Sequence, residues 1–131
     1  MHLSFDVKTD SGTNLLNISS RVREAVRSSG VKEGICLVSV PHTTAGVTVN
    51  EAADPSVVRD IVMELGKIVP LRDNYSHMEG NSAAHIKSSL VGAGCMLPVS
   101  GGDLVLGTWQ GIFFCEFDGP RTRKVRITLV G

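Results

Sequence analysis

CMLPVSGGDLVLGTWQGIFFCEFDGPRTRKVRITLV, residues 95–130, is the stretch that decides the fold. It reads as four strands, at 95–99, 103–107, 110–117 and 122–130. Turn residues break them at Ser100-Gly101-Gly102-Asp103 and Asp118-Gly119-Pro120. In the last strand Val125, Ile127 and Leu129 face one side and Lys124, Arg126 and Thr128 the other, the period of a sheet with one dry face. No helical pattern intervenes. A doubly wound parallel sheet, which needs regular crossover helices, is therefore excluded. The pattern predicts an α+β fold built on a mainly antiparallel β-sandwich with two to three helices.

Working back toward the N-terminus, Leu3, Phe5 and Val7 alternate with polar residues as in a half-buried strand, and Asp10-Ser11-Gly12 makes a turn. Ile18, Val22, Ala25 and Val26 recur at helical spacing, with Asn17 or Ser19 to start that helix and Gly30 to end it. Residues 35–40 read as a buried strand closed by Pro41, and Val47 and Val49 as a short strand after it. Asp54-Pro55 opens the clearest helix, an aspartate that caps and a proline suited to the first helical position. Val58, Ile61, Val62, Leu65 and Ile68 form its apolar stripe before Pro70. After a polar stretch at 71–80, residues 81–91 predict a short helix capped by Asn81. A start at Ser76 with Glu79 as its capping-box partner would put Gly80 inside the helix, at a cost of about 1 kcal/mol.

At 131 residues and 14.0 kDa the chain is read as one domain, 1–131, with about two-thirds of its surface buried on folding. Thirteen basic and thirteen acidic residues cancel, and aromatics make up 5%. This excludes general nucleic-acid binding, which needs a positive excess and stacking rings. No apolar run approaches the ~18–20 residues of a membrane span, and the first residues lack the basic start and apolar block of a signal peptide. Cys36, Cys95 and Cys115 sit among apolar neighbours without a CxxC pair and read as buried, reduced thiols. The expectation is a cytoplasmic protein.

The chemistry-bearing residues cluster in three places. His42 follows Pro41 where a strand ends, ahead of Thr43-Thr44-Ala45-Gly46. His77 and His85 bracket His77-Met78-Glu79-Gly80-Asn81-Ser82-Ala83-Ala84-His85, with His85 one helical turn past Asn81. Three imidazoles with an open fourth position suit zinc or another borderline divalent metal, with Glu51, Asp54 or Glu79 as ligand or orienting carboxylate. The competing reading has histidines hydrogen-bonded at loop ends, Asp54 only capping, and Glu79 solvated. Gly107-Thr108-Trp109-Gln110-Gly111 sets the single tryptophan beside an amide between glycines. It can flank a planar ligand, or be a core tryptophan on a bulged strand. Arg121, Arg123, Lys124 and Arg126 form the densest basic patch, either a solvated strand face or a phosphate holder.

Together these segments resemble the YjbQ-like family. Pro41–Glu51 with Ala53-Asp54-Pro55 is similar to its first signature. His77–Asn81 with Ala84-His85-Ile86-Lys87 is similar to its second, and Gly107–Ile112 with Glu116–Arg121 to its third. The resemblance covers nearly the whole chain. It implies a small α+β sandwich that assembles as a homotrimer, with secondary thiamine-phosphate synthase activity. That reaction joins a hydroxymethylpyrimidine pyrophosphate to a thiazole phosphate and releases pyrophosphate. Carried onto this chain, it implies His42, His77 and His85 as the metal or catalytic cluster, with Glu51 and Glu79 beside them. It further implies Thr43, Thr44, Asn81, Trp109, Gln110 and Arg121 as substrate-binding residues. The implied cofactor is a divalent cation, zinc, or magnesium for the synthase reaction; the implied partner is a small phosphorylated molecule. A metal-dependent hydrolase using Glu51 or Glu79 as general base, and a non-catalytic ligand-binding homotrimer, are the competing readings.

Overall fold

A computed structural model describes residues 1–131. The chain runs β1 (His2–Lys8), β2 (Asn14–Asn17), α1 (Ser19–Ser29), β3 (Gly34–Ser39), β4 (Ala45–Glu51), α2 (Pro55–Ile68), α3 (Ser82–Val91), β5 (Gly94–Ser100), β6 (Asp103–Leu104), β7 (Gln110–Glu116) and β8 (Thr122–Val130). Five strands form one sheet in the order β1-β8-β3-β5-β6, and three form a second in the order β2-β7-β4. Every pairing is antiparallel. The α+β sandwich read from residues 95–130 is the fold observed.

Alternation builds the core. Val125, Ile127 and Leu129 of β8 and Cys36 and Val38 of β3 point inward from the larger sheet; Ala45 and Val47 of β4 and Ile112 and Phe114 of β7 face them from the smaller one. Val22 and Val26 of α1 join this core. The helix ends at Gly30, whose φ of +79° suits a left-handed C-cap. Helix α3 lies against β4, where the Ser88 hydroxyl donates to the Ala45 carbonyl at 2.7 Å. The approach is so close that a Cβ on Gly46 would stand 2.7 Å from the Gly92 carbonyl oxygen. Beneath α3, Ala84, Cys115 and Phe117 make a second, smaller cluster with Leu15, Leu65 and Val91 packed against it. The three cysteines are free; Cys36 and Cys115 are buried, Cys95 half-buried. No helix is long and apolar enough to cross a membrane.

Three elements differ from the sequence reading. Strand β2 is four residues long, too short for its alternation to register, and exists because β7 offers it a ladder. The stretch 103–107 pairs only at Asp103 and Leu104 before the chain leaves the sheet. Arg123 shares the inward face of β8 with Val125, against the expectation of a solvated basic face, because Glu116 is buried opposite it.

Candidate functional site

Two histidines meet at the end of the smaller sheet where β4 begins and β7 ends. His77 sits on the segment between α2 and α3, and His85 one turn into α3. Their rings meet edge to face, with centroids 5.4 Å apart and planes at 88°. Gly80, at φ +78°, makes the turn that lets this segment enter α3. The Glu79 carboxylate lies 4.0 Å from His77 Nε2, with both side chains largely in water. Thr43 and Thr44 reach the same place because they immediately precede β4.

These residues line a cavity of about 290 Å³ with Asn81, Asp118 and Arg121, and no hydrophobic residue faces it. Two further depressions adjoin it through His77: one of about 400 Å³ shared with Tyr75, Ser82, His85 and Ile86, and one of about 490 Å³ with Leu71, Arg72 and Asp73. Asn81 occupies the N-cap position of α3 without capping it. Its amide instead donates to the Asp118 carboxylate at 3.0 Å, and its Oδ1 is shielded from solvent with no donor in the chain. The Ala84 N–H already donates to the Asn81 carbonyl at 3.1 Å, so the uncapped groups at this helix start are the N–H of Ser82 and Ala83, and a helix start favours an anion. Arg121 donates to the Asp118 carboxylate at 3.0 Å and to its carbonyl at 2.9 Å, which holds the guanidinium at the cavity edge.

Behind the cavity lies a buried ion pair. Arg123 forks onto the Glu116 carboxylate and also donates to the Thr44 hydroxyl at 2.9 Å and carbonyl at 3.2 Å. The Thr9 hydroxyl and the Asp118 N–H complete the shell around Glu116. Burial raises the Glu116 pKa, but its bonds from Arg123, Asp118 and Thr9 outweigh that and hold it below the ordinary carboxylate value. This network ties the start of β4, the end of β7 and the start of β8 into one rigid floor.

His42 departs from its expected place. Its Nε2 accepts the Lys124 backbone N–H at 2.9 Å. That nitrogen therefore carries no proton, and the neutral ring bears its hydrogen on Nδ1. Burial first, then the Arg123 cation, lowers the His42 pKa. The Nε2 lone pair is thereby engaged by the backbone rather than free to ligate. Consistently, no group of three or more His, Cys, Asp or Glu side chains stands in metal-holding proximity. Within this chain two of the three imidazoles converge, while the third accepts a backbone N–H.

The structure also separates the third motif from this place. Glu51 pairs with Gln110 at the opposite end of β4 and β7 from Ala45 and Glu116. Trp109 is 64% exposed there, and Gln110 Oε1 accepts the Gly107 N–H at 2.7 Å. Asp54 caps α2, accepting the Ser56 N–H at 2.9 Å. Thus His77, His85, Glu79, Thr43, Thr44, Asn81 and Arg121 come together, whereas Glu51, Trp109 and Gln110 do not join them. Sequence reasoning missed Asp118, which looked like a turn residue, and the Glu116–Arg123 pair, of which Arg123 looked like part of a basic patch and Glu116 like an ordinary strand residue. The one signal for both was their place in the third motif.

Comparison with known proteins places the chain beside one family. The profile described as UPF0047 protein YjbQ-like matches residues 3–131. A UPF0047 protein of Methanocaldococcus jannaschii is 48% identical over 100% of this chain and 95% of its own, and YugU of Bacillus subtilis is 45% identical over 98% of each. A crystal structure of a YjbQ/UPF0047 family protein from Clostridium acetobutylicum superposes with a TM-score of 0.96 at 48% identity, covering 98% of this chain and 99% of that one. A YbjQ-like protein of unknown function from Sulfolobus solfataricus gives 0.96 at 34% identity, over 100% and 96%.

Proposed function

The chain belongs to the YjbQ-like UPF0047 family, and from that premise we propose that its His77–His85 cavity binds the phosphate end of a small phosphorylated substrate, for a transfer reaction of the thiamine-phosphate synthase type. The observation that carries this reading is the cavity itself: two imidazoles, two threonines, an arginine and an uncapped helix start converge there beside the carboxylates of Glu79 and Asp118, the latter paired with Arg121, and no hydrophobic residue faces the space. In the proposed reaction a hydroxymethylpyrimidine pyrophosphate loses pyrophosphate as it joins a thiazole phosphate. The breaking bond leaves its electron pair on a pyrophosphate oxygen, so the site must stabilise negative charge there. Arg121, the hydroxyls of Thr43 and Thr44 and the first N–H groups of α3 are suited to that task. His85 or His77 would hold the proton that the departing group takes up.

The divalent cation implied by the family resemblance does not find its donor set in this chain. Elemental analysis of protein purified without an affinity tag tests for it directly. A metal-dependent hydrolase draws correspondingly little from the geometry, although Glu79 stands near His77. Three free cysteines accord with a cytoplasmic setting, which is part of the same proposal.

The test is direct. Purified protein incubated with both phosphorylated halves should yield thiamine phosphate, and His85→Ala should lose most of that yield. No product above the His85→Ala control would end the synthase reading. Calorimetric binding of pyrophosphate that Arg121→Ala weakens would then support a ligand-binding protein without turnover.

A further inference from the structure

We propose that the depression walled by Tyr75, His77, His85 and Ile86 holds a flat ring of the ligand whose phosphate enters the polar cavity, and that Tyr75 and Ile86 select for that ring. The inference rests on the cavity's binding a phosphate, and it adds which organic group the phosphate carries and which residues read it.

Helical spacing divides α3 into two faces. Ala83, Ala84, Lys87 and Ser88 are its buried residues. Ser82, His85 and Ile86, three and four positions apart, share a different face. That face meets the incoming segment at Tyr75, Ser76 and His77, and these six residues line a depression of about 400 Å³. The size suits a small organic group. Its chemistry is the reverse of the polar cavity's. Three of the six residues carry rings, and Ile86 adds a branched aliphatic chain that is 39% exposed. The Tyr75 hydroxyl donates to the Pro70 carbonyl at 2.5 Å. That bond anchors the ring and uses up its donor, so Tyr75 meets a ligand with carbon surface. Rings and a branched chain around one space favour a flat apolar guest.

The two spaces are continuous. His77 and His85 line both of them. Asn81 lines the polar side, and Ser82, the next residue and the first of α3, lines the ring side. An anion at the helix start therefore sits on the boundary between them. From Ser82 to Ile86 is four residues, about 6 Å along the helix axis. A ring joined to its phosphate through one carbon, as in an arylmethyl phosphate, matches that reach. The depression with Leu71, Arg72 and Asp73 is the rival seat. It touches His77 but not His85 or Ser82, and Arg72 and Asp73 bring charge to it. A ring seated there would be parted from the helix start, so the His85 side is the one that a single ligand can share with its phosphate.

Calorimetry on the full chain with methyl phosphate and benzyl phosphate reads the ring's contribution. Benzyl phosphate should bind about tenfold more tightly. Tyr75→Leu and Ile86→Ser should each bring the ratio of the two affinities close to one, whereas Arg121→Ala should weaken both and leave the ratio standing. Ile86 is partly exposed, so its variant keeps the test open if Tyr75→Leu fails to fold. Carbon-13 spectra of isoleucine methyl groups give a second readout. Benzyl phosphate should move the Ile86 peak by its ring current and methyl phosphate should not; the peak missing from Ile86→Ser assigns it. Equal affinities for the two phosphates overturn the ring subsite and keep the phosphate reading. So does a benzyl advantage indifferent to both variants, or an Ile86 peak that stays still. If neither phosphate binds, the phosphate reading falls, and benzyl alcohol decides the rest. An Ile86 peak that it moves keeps the ring seat; one that it leaves in place overturns the seat as well.

Discussion

Glu116 and Arg123 are both withdrawn from water, at 0% and 3% exposure, and each satisfies the other. Breaking such a pair from one side leaves an uncompensated buried charge. Glu116→Gln should therefore lower stability by about 3–5 kcal/mol in urea titrations, whereas Glu116→Leu combined with Arg123→Met should recover most of that loss. The pH dependence follows from the lowered Glu116 pKa. Its contribution is complete above the unfolded carboxylate pKa and is lost as pH falls through the lower folded value. His42 acts in the same direction at higher pH. Its folded pKa is depressed, so below about pH 6.5 the unfolded chain takes up the proton first and stability falls with pH. His42→Gln should flatten the slope of unfolding free energy in that window. In sequence, Arg123 is one of four basic residues in six positions, and their density reads as a solvated face. The alternation of β8 does place it on the Val125 face, but only the burial of Glu116 makes that position tolerable.

Among the elements, α3 carries most of the site and holds it through one close contact. Gly46 allows α3 to press onto β4, with Val91 Cγ1 at 3.1 Å and the Gly92 carbonyl at 2.7 Å from where a Cβ would stand. Gly46→Ala should push the helix outward, costing about 1–3 kcal/mol in thermal melts and weakening pyrophosphate binding in calorimetry. This helix was legible in outline: its span and its start at Asn81 follow from the pattern of residues 81–91. Its cap was not. Asn81 is a fitting N-cap residue by type, yet its amide serves Asp118, a partner 37 positions away. Helix α2 shows the opposite case. Its aspartate cap and proline start are both local, and both are found where the sequence puts them.

For the whole molecule, the inter-sheet core and the site are separable. Phe114→Ala, between the sheets, should cost about 3–5 kcal/mol in chemical denaturation and leave the pyrophosphate affinity of the folded fraction unchanged. A parallel fall in affinity would mean that the core also sets the site. The sequence by itself determined the sandwich, because alternation and turn chemistry are local and most of the strands are long enough to display them. It also allowed His77 and His85 to converge, since only seven residues and one helix start lie between them. Tertiary structure alone decided that His42 turns to the Lys124 backbone, that Asp118 joins the cavity, and that Trp109 and Glu51 lie at the far end of the smaller sheet. Each of these depends on strand pairing. Antiparallel pairing sets the end of one strand beside the start of another, and residues adjacent in a motif list can be carried to opposite ends of the same ladder.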